Sequence, residues 1–515
     1  MKKSTIGFFF ILLIGIAGIL GWKYLKPILF EKSQLSTSDS ASSLHTIRIG
    51  GDNYLGYWFI TSPEMRKIAA RKGLQIDFTD DEGAYAQRLT EFAGEKYDCI
   101  VLPVNSYLEH GANHKFPGVI VAAISESKGA DGIVGFADRF PGGKINDLND
   151  PTLKIVYTSN SPSSFLLDLT IADFDLDRLQ ESKDWQVEEN GSAAVLKRAK
   201  KGAGDVFVLW EPDLSKALQI AGMKYVWGSD KFSGYIVDVF VFHRDYLKKH
   251  TDKVRDFLNV YFRVLGLYAN NREKMIKEMR KSTDENKDTI EAMLQKIDWF
   301  DLAQNSKQQF GISSRAGENV QDGVINTIIA CTDVMLRTGL FKKDPLQGNP
   351  YLITNSDLLK DLSRSRVMNV ASGTGRVRDF SSLTDKEWSK LREVGTFRIE
   401  PITFQSWNNQ LTEGGKEIVN KIAGLLTNNY RDYRVLIRGH TGPGGDEGEN
   451  VKLSLQRSQI VAQYLLAVHG INRNRLKAEG LGSGQPAVKK PGESVRAYRY
   501  RLSRVEFVAV EEDRI

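Results

Sequence analysis

Two cysteines are all that the 515 residues contain, Cys99 in DCIVLPV and Cys331 in IIACTDVML. Each sits inside an apolar run, so a disulfide framework and a cysteine-ligated metal cluster are excluded, and two buried thiols are expected. A Walker loop, a zinc-ligand spacing and a nucleophile motif are equally missing. No catalytic residue, metal or cofactor is therefore assigned, the chain is read as a non-enzyme, and no nucleic-acid partner is expected. Charge is also missing where a conducting span would need it: no ionisable residue lies between Thr5 and Trp22, which argues against a membrane-embedded ion path.

What is present reads as globular. Hydrophobic residues make up 41% and charged residues 26% of the chain, and the length exceeds one ordinary core, so two or three domains are expected. The formal charge of +6 is uneven: residues 1–32 carry +4, 33–390 carry −3 and 391–515 carry +5. The excess on the N-terminal flank and the C-terminal module favours anionic partners there.

The N-terminus reads MKK, then TIGFFFILLIGIAGILGW, then KYLK. Eighteen helical residues at about 1.5 Å each span roughly 27 Å, just enough for a hydrocarbon core. Residues 1–32 are thus a membrane anchor or a signal segment. The lack of a small-x-small cleavage site favours the anchor. The flanking lysines are nearly balanced and do not set orientation. SQLSTSDSASSL (33–44) reads as a flexible Ser-rich tether.

From Thr46 short β runs alternate with amphipathic stretches: TIRIG, a helix near 64–72, QIDFT, YAQRLTEFAG, DCIVLPV. A second series runs from KIVYT (154–158) through WQVEE, SAAVLKRAKKG and DVFVLWEP to YVWG. Such alternation predicts βαβ units, hence two α/β lobes in succession. YIVDVFVFHR (235–244) is expected to return to the first lobe, leaving a cleft at the carboxyl ends of the strands.

IRIGGDNYLGYW, GADGIVGF, NSPSSFLLDL, DVFVLWEPDL and YIVDVFVFHRDYL, with DWFDLAQN and VMLRTGLFKKDP later, resemble solute-binding proteins of ABC transporters. The similarity is to the nitrate, sulfonate and thiamine-precursor group and spans about 45–362. It implies a two-lobed venus-flytrap domain for a small solute. A related fold makes a pyrimidine precursor with a histidine and a cysteine-rich iron motif, and no cysteine cluster here matches it. Ser161, Ser163 and Ser164 open a helix with hydroxyls and free N–H groups, either to hold a polar or anionic head or as an ordinary cap. Asn53, Tyr57 and Trp58 lie in the first strand-to-helix loop, with two rings that could stack on a flat ligand. Asn105 and Ser106 follow the third strand. Glu211 and Asp238 are cleft carboxylates or hinge groups, which leaves the ligand's charge open.

Residues 363–390 lose periodicity and read as a linker. In 391–515, FRIEPITF, YRVLIRGH, RLKAEG and RVEFVAV read as strands, and TEGGKEIVNKIAGLL and VKLSLQRSQIVAQYLLAVHGI as helices, with Ile418, Ile422, Leu425 and Leu426 on one face of the first. GHTGPGGDEGEN (439–450) is glycine-rich but lacks the Gly-Lys-Ser/Thr end of a phosphate loop. IRGHTGPGGDEGENVKLSLQRSQIVAQYLLAVHGINRNRLKAEGLGSGQPAV resembles the peptidoglycan-binding domain of the outer-membrane protein A family, shared by Pal lipoproteins and flagellar stator B subunits. The similarity covers about 394–510 and implies an OmpA-like α/β sandwich holding the diamino acid of a stem peptide. The site residues it implies are Thr441, Gly442, Asp446, Asn450, Arg457 and Arg504. Arg457 lies within the apolar stripe of its helix and needs an anion, either a peptide carboxylate or Asp446, Glu447 or Glu449. Where the family carries an aspartate for the ligand's ammonium group, this chain has Gly442, and the terminal Asn-Arg-Arg becomes Leu502-Ser503-Arg504. Asp446 is the candidate replacement, and wall binding is expected to be weakened, retuned or lost.

The expectation is a single-pass protein of the cytoplasmic membrane with its bulk in the periplasm or cell-wall space, binding a small solute and peptidoglycan, with a transporter or other envelope protein as a further partner. The alternative is a structural tether whose flytrap domain binds no ligand.

Overall fold

The computed structural model describes residues 44–139, 144–174, 176–283, 285–313, 320–364, 380–405, 410–490 and 492–512. The apolar segment Thr5–Trp22, and with it the anchor expectation, lies outside the described residues. Among the described residues no helix is long and apolar enough to cross a membrane.

The first lobe begins with β1 (His45–Gly51), β2 (Leu74–Asp80) and β3 (Cys99–Pro103), all parallel. Between β1 and β2 runs α1 (Pro63–Arg71). Ser62 starts it by accepting from the Met65 N–H, and Pro63 sits where no N–H is needed. Helix α2 (Val104–Gly111) and β4 (Gly118–Ser127) follow. The chain then crosses at 128–130 into a second lobe of β5 (Asp131–Phe136), β6 (Ile155–Thr158), α3 (Pro162–Asp173), β7 (Gln186–Glu189), β8 (Val206–Trp210) and β9 (Met223–Gly228), with sheet order β7-β6-β8-β5-β9.

A second crossing at 229–236 returns it as β10 (Val237–His243), which inserts antiparallel between β3 and β4. With β11 (Ile297–Trp299) the first sheet has the order β2-β1-β3-β10-β4-β11. Every residue of β3 and β10 is buried, which is why both read as unbroken apolar runs rather than alternating ones. Two crossings between two sheets are the framework of a flytrap, as expected. Cys99 lies in β3, and Cys331 in α4 (Gly323–Arg337); both are buried free thiols.

The C-terminal domain contains β12 (Arg392–Thr396), α5 (Glu413–Gly424), β13 (Arg434–His440), α6 (Glu447–His469), β14 (Leu476–Gly480) and β15 (Arg504–Glu511), in sheet order β12-β15-β13-β14. Side chains alternate in period two. Val435, Ile437, Phe507 and Ala509 join the main core, whereas Leu436, Val508 and Val510 pack with Trp388 on the other face. The segment expected as a linker therefore ends as part of this domain: Phe380 and Trp388 are buried, and the Arg434 guanidinium lies 5.4 Å and 5.7 Å from their rings. Gly439 is required by close approach, since a Cβ there would meet the Ser454 carbonyl oxygen of α6 at 2.0 Å.

One strand is displaced from its expected place. FRIEPITF reads as a strand, but β12 ends at Thr396; Phe397 keeps one bond to β15, its N–H donating to the Phe507 carbonyl at 2.8 Å, and beyond that Phe397 and Phe404 make isolated bridges, to Phe174 and Leu411. Pro401 has no N–H for a ladder, and Phe397 is drawn into contact with the second lobe. Its ring stacks on Phe174 at 5.5 Å, Tyr433 stacks on Trp227 at 6.4 Å, and the Ser233 and Asn429 backbones and the Asn429 amide exchange two hydrogen bonds of 2.7 and 2.9 Å. The C-terminal domain is thus docked on the second lobe and on the returning hinge segment.

Candidate functional site

The cleft between the lobes is closed. His110 Nε2 lies 3.2 Å from the Asn160 carbonyl, Lys216 pairs with Glu285 at 3.3 Å, and Lys296 pairs with Glu211. All three contacts join the first lobe to the second. What remains between them is a cavity of about 10 Å³ lined by Tyr54, Tyr57, Tyr85, Trp210, Asp131 and Asp238, with Pro103, Pro162 and Ile236. That is room for about one water, far below the few hundred Å³ of an ordinary ligand pocket.

Each charge around this cavity has a traceable origin. Arg88 is fully buried; it grips Asp81 through two 2.6 Å bonds, Asp52 at 2.9 Å and the Val101 carbonyl at 2.6 Å. Its positive charge is therefore consumed within the first lobe. Asp238, buried in β10, accepts from the Tyr57 hydroxyl and from Ser125 at 3.4 Å. Burial, opposed by the Tyr57 hydrogen bond and aided by Asp131, pushes its carboxyl well up. Asp131 opens β5 and accepts from Ser127 at 2.6 Å; burial first, then Glu211 and Asp52, push it up to about 7. Among the described residues no lysine or arginine pairs with either carboxylate.

Of the residues chosen from sequence, Tyr57 and Asp238 line the cavity together. Asn105 and Ser163 are buried in the first turns of α2 and α3, and Asn105 Oδ1 and Ser163 Oγ have no hydrogen-bond partner, as is true of Thr158 Oγ1 and Ser192 Oγ. Ser106 is buried beside Asn105. Ser161 and Ser164 cap their own helix: Ser161 Oγ accepts from the Ser163 N–H at 3.1 Å, and Ser164 Oγ from the Ser161 N–H at 3.0 Å. Glu211 is held by Lys296 and Ser215. Asn53 is exposed. Trp58 is turned away from the cavity; its Nε1 donates to Ser282 at 2.8 Å and its ring packs edge-on against Tyr268. Adjacent helical residues point to different sides, so Tyr57 and Trp58 could not both reach one ligand. Sequence reasoning missed Tyr54, Tyr85, Arg88 and Asp131; the available signal was an acid and an arginine inside apolar segments.

A larger concavity, about 1190 Å³, lies instead between the first lobe and the C-terminal domain. Its walls mix Arg272, Asp301, Arg398, Glu400 and Lys421 and converge on no one chemistry, so it is a gap between domains rather than the site.

The second site lies at the mouth of the C-terminal domain. Asp446 caps α6, accepting from the Glu449 N–H at 3.0 Å; Asn450 ties the loop through the Gly444 carbonyl at 3.0 Å; Thr441 is buried with its Oγ1 unpartnered. Glu447 bonds to Ser483, and Glu449 to Lys452. None of these acids reaches Arg457. Its Nη1 donates to Ser503 Oγ at 2.8 Å, its guanidinium lies 5.3 Å from the Phe404 ring, and Nε has no partner. Burial alone lowers its pKa, the signature of a cation without a counterion. Arg504 is occupied by Glu506 at 2.6 Å and by the Leu502 and Gln485 carbonyls. At Gly442 a Cβ would meet nothing nearer than the Leu502 Cβ at 4.0 Å.

Residues 403–500 match the model of the OmpA family, so the C-terminal domain is OmpA-like. The peptidoglycan-binding protein ArfA of Mycobacterium tuberculosis is 37% identical over 102 residues, 20% of this chain and 31% of that protein. Outer membrane protein A of Klebsiella aerogenes is 30% identical over 104 residues, 20% of this chain and 29% of that protein. The chain thus spans less than a third of the length of these curated relatives. The two-lobed region is similar in structure to the alkanesulfonate-binding protein SsuA of Xanthomonas axonopodis pv. citri, bound to MOPS: TM-score 0.46, 15% identity, 58% of this chain and 95% of that one. It is also similar to the periplasmic nitrate-binding protein NrtA of Synechocystis PCC 6803: TM-score 0.46, 11% identity, 62% and 89%.

Proposed function

We propose that this chain is an envelope protein that grips a peptidoglycan stem peptide through its C-terminal domain and captures a small solute in its flytrap cleft. Residues 5–22 anchor it in the cytoplasmic membrane and leave both domains in the periplasm or cell-wall space, within reach of a transporter or another envelope partner. Arg457 is the observation that carries the reading. A half-buried guanidinium with one hydroxyl partner and no carboxylate is matched to a ligand carboxylate, which arginine can take bidentately. ArfA, described as peptidoglycan-binding, is the relative that supports it.

Sedimentation with purified peptidoglycan tests this reading. The protein is expected to co-sediment, Arg457→Lys to bind less because it lacks the planar fork, and Arg457→Ala to bind at least tenfold less. Equal sedimentation of wild type and Arg457→Ala would remove Arg457 from the site.

The nearly filled cleft favours a second reading for the flytrap domain alone, a ligand-free scaffold that presents its outer surface to other envelope proteins. Any small molecule that raises the melting temperature of the protein counts against it.

A further inference from the structure

We propose that the cleft takes the ammonium head of a small amine rather than an oxyanion, an inference that rests on reading the cleft as a ligand site. The sign of the site decides first. Its cations are spent: Arg88 is saturated by Asp52 and Asp81, and Lys296 by Glu211. The helix start that could hold an anion is closed by its own hydroxyls, Ser161 and Ser164. Facing the cavity instead are Asp131 and Asp238, 4% and 1% exposed, with only hydroxyl donors.

Two carboxylates buried together without a cation repel each other, and Asp131 raises the affinity of Asp238 for a proton. A ligand cation relieves the same charge. Around it stand the rings of Tyr54, Tyr57 and Trp210, with Tyr85 already carrying the Arg88 guanidinium at 4.6 Å, and aromatic faces attract cations most strongly when water is excluded.

Size decides next. A cavity of about 10 Å³ accommodates a water-sized group. An –NH3⁺ head is of that size and brings three donors, whereas a quaternary ammonium is far too large for the closed form. The unpartnered Asn105 Oδ1 and Ser163 Oγ, within two residues of the cavity-lining Pro103 and Pro162, are polar groups available to the remainder of the molecule as the lobes part to admit it.

The test is thermal unfolding of the full protein with methylammonium chloride, against sodium chloride at equal ionic strength. Methylammonium is expected to raise the melting temperature in a saturable manner, by roughly 2 °C or more. Tetramethylammonium, sodium nitrate and sodium methanesulfonate are expected to give no shift. At pH 8, above the raised value of Asp131, Asp131→Asn should melt higher than wild type without ligand, because an uncompensated charge is gone, yet lose the methylammonium shift, and Asp238→Asn should lose that shift as well. That pair of opposite effects separates lost binding from lost folding. A shift with nitrate or methanesulfonate would overturn the cation assignment and leave solute binding standing. A shift with tetramethylammonium alone would overturn the size argument. No shift with any of the four would overturn the inference together with the solute-binding half of the proposed function, while peptidoglycan sedimentation would be untouched.

Discussion

The Tyr430 hydroxyl of the C-terminal domain donates a 2.6 Å hydrogen bond to Asp173 Oδ2, the last residue of α3 in the second lobe. The same carboxylate receives Arg337 from α4 at 2.6 Å and the Tyr235 hydroxyl of the returning hinge segment at 3.0 Å. One buried acid therefore joins the second lobe, α4, the hinge segment and the C-terminal domain.

Removing that acid should uncouple them. Asp173→Ala leaves Arg337 and two tyrosine hydroxyls short of a partner, at a cost of about 3–5 kcal/mol, while Tyr430→Phe removes only one hydrogen bond, about 1 kcal/mol. Calorimetry is expected to show the C-terminal domain melting apart from the lobes in Asp173→Ala and a small downward shift in Tyr430→Phe. An unchanged single transition in both would mean the domains do not dock through this junction.

Arg88 gives a prediction confined to the first lobe. Arg88→Met leaves Asp52 and Asp81 facing each other without a counterion and should cost about 3–5 kcal/mol in urea unfolding. Adding Asp52→Asn and Asp81→Asn should recover most of it, because the burden lies in unpaired charge. A triple variant as weak as Arg88→Met would point to lost packing against Tyr85 instead.

The lobe interface should respond to pH in the neutral range. Burial, with Asp168 beside it, pushes Glu109 on α2 up to about 7; burial, opposed by Lys183, pushes Asp168 on α3 up to about 6. Carboxyls with raised folded pKa values hold protons that the unfolded chain has released. Their contribution is therefore full below about pH 4 and is lost as pH rises to about 7. Asp131, also raised to about 7, acts in the same window. The melting temperature is expected to fall from pH 5 to pH 8, and Glu109→Gln should flatten that fall. Glu493 and Glu506, lowered to about 2, act only in stronger acid. An equally steep fall in Glu109→Gln would place the proton uptake elsewhere.

How far the sequence disclosed this molecule follows from where its signals are local. Both lobes and the returning strand were legible, because 3.6- and 2-residue periodicities and unbroken apolar runs are properties of single segments. The displacement of the 397–404 strand was not, since the Phe397 side chain stacks on a ring, Phe174, more than 200 positions earlier in the chain. The same holds in the cleft. Asp238 and Tyr57 were visible as polar groups at strand ends, but pairing them, and spending Arg88 on Asp52 and Asp81, depends on lobe geometry that no local pattern encodes. Asp446, which the sequence offered as a substitute carboxylate, serves as a helix cap, a role its spacing before α6 already allowed.

The most direct measurement is titration of a soluble stem-peptide fragment into wild type, Gly442→Asp, Arg457→Ala and Asp446→Ala. Space at Gly442 admits the larger side chain, and a regained charge-assisted hydrogen bond is worth about 1.5–3 kcal/mol, with about 1.4 kcal/mol per factor of ten. Gly442→Asp is therefore expected to bind tenfold or more tightly than wild type, Asp446→Ala to bind nearly as wild type, and Arg457→Ala to bind undetectably. Loss of binding in Asp446→Ala with no gain in Gly442→Asp would contradict the account, as would the absence of binding by both wild type and Gly442→Asp.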